Sequence, residues 1–146
     1  MLRAALSSII VLALGIAPAA QEGHPLAGTW YGDYGTGRQR TDLTLVMKWD
    51  GRAISGTINP GPDAVPLAMA ALTITPGKPA PQGQDPTTGI PPKFHVRLEA
   101  DLPAGAAGKS RIVFEGDIKN PVAGNRRIEG TWRRGDEKGT FQVRRL

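Results

Sequence analysis

The chain has 146 residues, no Cys, and a formal net charge of +5 at pH 7 from 18 Lys and Arg against 13 Asp and Glu. That length fits one domain. The missing Cys excludes thiol catalysis, Cys-ligated metals and a disulfide framework.

The N-terminus reads as a secretory signal. Met1 to Arg3 supplies one positive charge, residues 4–16 are apolar, and Ala17-Pro18-Ala19 offers the small residues that a signal peptidase reads. A membrane anchor is the alternative, but a helix needs about 20 apolar residues to cross a bilayer and this run is about 13. The sequence therefore predicts a signal peptide over 1–19 and one domain over 20–146, periplasmic or secreted and not membrane-spanning after cleavage. About two thirds of the unfolded surface of such a chain is buried on folding, enough for one core.

Downstream, no stretch sustains a 3.6-residue apolar period, and several alternate with period two. Strand candidates begin at 27–34. In 41–49, Leu43, Leu45, Met47 and Trp49 share one face. Asp50-Gly51 suits a two-residue type I′ turn, and 52–59 returns with Ile54, Gly56 and Ile58 inward. Residues 65–75 are ambiguous: Ala68 to Ala71 suits a helical turn, Leu72 to Thr75 a strand. Residues 76–92 hold six Pro and three Gly and read as a mobile lid or a disordered insertion. Alternation resumes at 93–101 with Phe94, Val96 and Leu98 inward. It recurs at 111–119, 127–133 and 139–145. The expected fold class is all-β, an antiparallel meander barrel of about eight strands.

One unit recurs: a large apolar residue, any residue, Gly, Thr or Asp, then another large apolar residue. It appears as Leu26 to Trp30, Ile54 to Ile58, Phe114 to Ile118 and Ile128 to Trp132. Each copy places Gly inward between bulky neighbours. Gly weakens a strand interior, and the coiling of a closing sheet supplies a reason for it. Closure also removes exposed sheet edges.

Gly28-Thr29-Trp30 at the first strand and Arg144-Arg145 at the last resemble the ends of lipocalin-like and avidin-like barrels. The resemblance implies a calycin-type architecture in which Arg145 packs across Trp30 to close the barrel. The further lipocalin motifs and the avidin ligand contacts are not evident. The chain is also similar to small exported bacterial β-domains that stand alone or precede α/β-hydrolase domains. Gly28 to Trp30, Leu43 to Val46, Asp50 to Thr57 and Ile128 to Trp132 carry that similarity. No hydrolase activity is implied.

Little chemistry is legible. His24 and His95 are the only histidines, too few for a His-rich zinc site, and no Gly-x-Ser-x-Gly elbow occurs. Glu99, Glu115 and Glu129 fall outward beside Arg97, Arg111 and Arg127, as cross-strand ion pairs would. No catalytic residue, metal or cofactor is expected, and the chain is not expected to be an enzyme. Positive charge gathers late in the chain. It suits a solvated face, or attraction to lipid headgroups or acidic glycans. Nucleic acid is not an expected partner, because the basic residues are not set among exposed-looking aromatics.

The inward aromatics are the binding candidates: Trp30, Tyr34, Trp49, Phe94, Phe114 and Trp132. A barrel of this size is either filled by side chains or holds one small ligand. Two functions are carried forward. One is a non-catalytic binding barrel for a small apolar or anionic lipid-like or glycan-like ligand. The other is a protein-interaction module, such as an inhibitor of an exported enzyme, acting through its loops.

Overall fold

The computed structural model describes residues 23–122 and 124–146; the predicted signal peptide over 1–19 lies outside them. Eight strands follow one another: β1 Gly28–Thr36, β2 Gln39–Trp49, β3 Ile54–Ile58, β4 Val65–Thr75, β5 Lys93–Pro103, β6 Lys109–Lys119, β7 Arg127–Arg134 and β8 Glu137–Arg145. Each pairs antiparallel with the next, and β8 returns to β1 to close the barrel. The fold is the all-β antiparallel meander barrel expected from the alternation.

The upper end carries the turns after β1, β3, β5 and β7. The lower end carries the turns after β2, β4 and β6, the chain from Gly23 into β1, and the C-terminus. Inward residues fill the middle. Trp30, Leu43, Leu45, Val96, Leu98, Ile112 and Ile128 are fully buried in one core cluster. Leu26 also belongs to this cluster and precedes β1 at the lower end.

The inward glycines of the repeated unit have a more specific cause than space for bulky side chains. A Cβ on Gly56, Gly116 or Gly130 would collide with backbone of the neighbouring strand, at Val46, Glu129 and Glu115 respectively. Adjacent strands coil too closely for a side chain there. Gly28 differs: its φ is +125°, and a Cβ would lie 2.9 Å from the Arg145 Nε.

Three local features depart from the sequence reading. The turn after β2 is four residues long, not two. The Asp50 carboxylate accepts from the Arg52 and Ala53 backbone N–H groups at 2.7 and 2.8 Å, so β3 starts at Ile54. Residues 65–75 are strand throughout. A register shift between Leu67 and Met69 against β5 moves the inward set from Leu67 to Ala70 and Leu72, which hides the period of two. Residues 76–92 have a defined internal frame. Lys78 and Ile90 exchange backbone hydrogen bonds of 2.8 Å each. Asp85 caps a short 3-10 turn at Pro86–Thr88.

Outward carboxylates lie where cross-strand pairing places them. Arg97 bonds Glu99 and Glu115, and Arg111 bonds Glu99 and Asp101. The Arg97 and Arg111 guanidiniums hold the Glu99 carboxyl below its usual range, and Arg111 does the same to Asp101. His95 faces outward, half-exposed, 3.0 Å from Asp117.

Candidate functional site

At the upper end the core gives way to an open cleft of about 530 Å3 between the β1–β2 and β7–β8 hairpins. Its floor is aromatic. Tyr34 meets Trp132 edge-on at 5.3 Å and Phe114 at 5.5 Å, and Phe114 meets Phe141 at 5.2 Å. Edge-to-face pairs at such spacings are favourable. The strand register dictates the cluster: Tyr34 lies opposite Phe141, and Phe114 opposite Trp132.

Trp132 is almost fully buried, and its Nε1 donates to the Gly35 carbonyl at 3.1 Å. Gly139, its partner on β8, leaves room for the ring; a Cβ there would lie 2.8 Å from the indole nitrogen. The Gly35 carbonyl also accepts from the Arg40 guanidinium at 3.3 Å, and Arg40 is paired with Asp33. One carbonyl thus joins the indole inside the barrel to an ion pair outside it.

The walls are polar. Gln39 and Thr41 rise from β2, Arg134 from β7, Asp136 from the turn that follows, and Glu137 and Lys138 from β8. Arg134 donates to the Pro103 carbonyl at 2.8 Å. Among the described residues it has no carboxylate within ion-pair distance. An aromatic floor under walls of amide, hydroxyl and charged groups offers stacking below and hydrogen bonding at the sides.

The structure brings together three of the sequence-predicted binding residues. Tyr34 and Trp132 line the cleft, and Phe114 supports them from below. Trp30 is fully buried and donates from Nε1 to the Leu26 carbonyl at 2.8 Å, as a core residue. Trp49 stands at the lower end, stacked on His24 at 4.6 Å between ring centres. Trp49 and Trp132 therefore sit at opposite ends and do not line one cavity. Phe94 packs against the core opposite Ile74, near the lower end. Arg145 is in register with Trp30, its guanidinium beside Gly28.

The sequence reading missed the polar walls. Gln39 and Thr41 share the inward parity of Leu43 and Leu45, and Arg134 that of Trp132. The signal is a change from apolar to polar at constant parity, and it falls at the very start of the strand read as 41–49 (Thr41) or just outside the strands read as 41–49 and 127–133 (Gln39 and Arg134). Among the described residues no group of three or more His, Asp or Glu could hold a metal ion, and no helix is long and apolar enough to cross a membrane.

Comparison with family models finds no match. Neither curated proteins nor solved structures give one.

Proposed function

We propose that the protein is an exported, non-catalytic binding barrel whose ligand occupies the upper cleft. The ligand is small and glycan-like. The observation that carries this is the cleft itself, about 530 Å3, with Tyr34 and Trp132 at its floor and with Gln39, Thr41 and both signs of charge (Arg134 and Lys138, Asp136 and Glu137) in its walls. Small-molecule sites have this size. Sugar rings suit the arrangement because they present C–H faces to aromatics and hydroxyls to the walls. The filled middle of the barrel favours this cleft over a deep apolar cavity. A calycin-type relationship belongs to the same reading and rests on Gly28 to Trp30 and on Arg145 beside Gly28.

The test is an NMR titration with short acidic and neutral oligosaccharides, reading the three tryptophan indole N–H signals. The reading expects the Trp132 signal and the Gly35 amide to move. Movement of Trp49 without Trp132, or no movement with any saccharide, would contradict it.

A further inference from the structure

The two ends of the barrel differ in a way the cleft does not explain. Five large apolar side chains are exposed among the described residues: Tyr31, Ile74, Ile90, Val122 and Leu146. All five belong to the lower half or the lower end. Val122 is in the β6–β7 turn, 94% exposed, and Leu146 follows β8, 75% exposed. Leu146 is held in place by its N–H, which donates to the Thr29 carbonyl at 3.0 Å. Ile74 is the last residue but one of β4, and Ile90 lies in the loop that follows, opposite Lys78. Scattered exposed apolar residues are ordinary; five gathered at one end are not.

The charge has the same polarity. Lys119, Arg127 and Arg144 occupy one register row across β6, β7 and β8, and Tyr31 continues that row on β1. Like charges directly opposed across strands destabilise a sheet. Glu129, 3.5 Å from Arg127, is the one carboxylate that pairs with this row among the described residues. Arg126 adds a further cation beside Val122, and Lys78 and Lys93 flank Ile90 and Ile74. Other acids here are engaged: Asp50 and Asp85 accept from N–H groups of their own turns, and Asp117 bonds His95. At the upper end cations and acids are more evenly mixed: Arg40 is paired with Asp33 and Arg111 with Asp101 and Glu99, and Asp63, Asp136 and Glu137 share that end with Arg134 and Lys138.

We propose that the lower end is a docking surface for an anionic phospholipid bilayer. Apolar tips inside a basic surround match the two layers of such a membrane. The cations meet headgroup phosphates, which relieves the repulsion along the Lys119–Arg127–Arg144 row. The side chains of Val122, Leu146 and Ile90 reach the interfacial layer. Contact is through strand ends and turns, so the barrel stays closed and the upper cleft faces away from the bilayer.

The absence of Cys permits a local test on the full chain. Val122→Cys at the lower end and Asp63→Cys at the upper end are each labelled with an environment-sensitive fluorophore. Each is then mixed with vesicles of phosphatidylcholine alone or with phosphatidylglycerol. The proposal expects a several-fold fluorescence rise at position 122 only, and only with phosphatidylglycerol. The rise should vanish at about 1 M salt, where the Debye length is about 3 Å. Combining the label with Arg126→Ser, Arg127→Ser and Arg144→Ser should weaken vesicle binding on the order of a hundredfold. No response at 122, an equal response at 63, or a response unchanged by the triple substitution would overturn it. Equal binding to dextran sulfate with no response to vesicles would reassign the surface to a soluble polyanion, and so overturn it too.

Discussion

Gly116 and Gly130 face each other across β6 and β7 so closely that a Cβ on Gly130 would collide with the Gly116 Cα and the Glu115 carbonyl. Their contact is backbone against backbone, the signature of a strongly coiled sheet. Gly130→Val and Gly56→Val should each destabilise the barrel by roughly 1–3 kcal/mol, as overpacking does. Urea midpoints measure this. A midpoint unchanged in both variants would mean that the strands are not coiled as described.

His24 gives the protein a pH dependence of defined sign. Its Nδ1 accepts from the Leu26 N–H at 3.2 Å, and its ring stacks on Trp49. Burial lowers its pKa below the usual imidazole value. The unfolded chain then takes up a proton at higher pH than the folded one does. The stability from neutral His24 is complete above about pH 6.5 and is lost as pH falls through the folded-state value. His24→Gln should flatten the thermal midpoint across this range. A slope identical in the two proteins would rule out His24 as its source.

The ion-pair ladder acts lower on the scale. Arg97 and Arg111 depress the Glu99 pKa, and Arg111 depresses that of Asp101. Depressed carboxyls contribute stability above their unfolded pKa of about 4, and lose it as pH falls through the lower folded values. Arg111→Gln should therefore be less stable than the parent at neutral pH and indistinguishable from it at the acid extreme. The groups are solvent-exposed, so the neutral-pH difference should also shrink in high salt. Denaturation at both pH values, with and without salt, checks all three points.

Shortening the β4–β5 loop should leave the barrel intact. The Lys78–Ile90 bridge is internal to the loop, and β4 and β5 pair from Thr75 with Lys93 onward. Replacing residues 80–88 with a short Gly linker should move the melting temperature by only a few degrees, because loop length changes closure entropy weakly. A collapse in melting temperature would show that the loop supports the core.

Particular residues decided what could be read from the chain. Leu43 to Trp49 alternates without a break, so β2 and its inward face were plain. Two of the four Gly-centred units, on β6 and β7, mark strands that pair in register, Gly116 against Gly130, and the inward glycines point to the coiling of a closed barrel. Residues 65–75 were opaque because the irregularity beside Ala68 reverses the parity midway. Nothing in an Ala-rich segment announces a bulge. The Asp50 turn was misjudged because the carboxylate, not only the Gly51 backbone, sets its length. The cleft was half legible. Tyr34 and Trp132 were visible as inward aromatics, whereas Gln39, Thr41 and Arg134 looked like ordinary surface residues at strand ends. Which aromatics share one end depends on register and chain direction together, and this separated Trp49 from Trp132.

The rim of the cleft should govern affinity without governing the fold. Arg134 and Lys138 lie at strand ends outside the core cluster, so Arg134→Gln with Lys138→Glu should leave the melting temperature within a few degrees. The most direct measurement is native mass spectrometry of the protein purified from the envelope or medium of cells that express it. A retained small-molecule adduct on the parent, lost from the Arg134→Gln, Lys138→Glu variant, is the predicted result. A bare parent chain, or an adduct that the double substitution leaves untouched, would contradict the assignment of the upper cleft as the binding site.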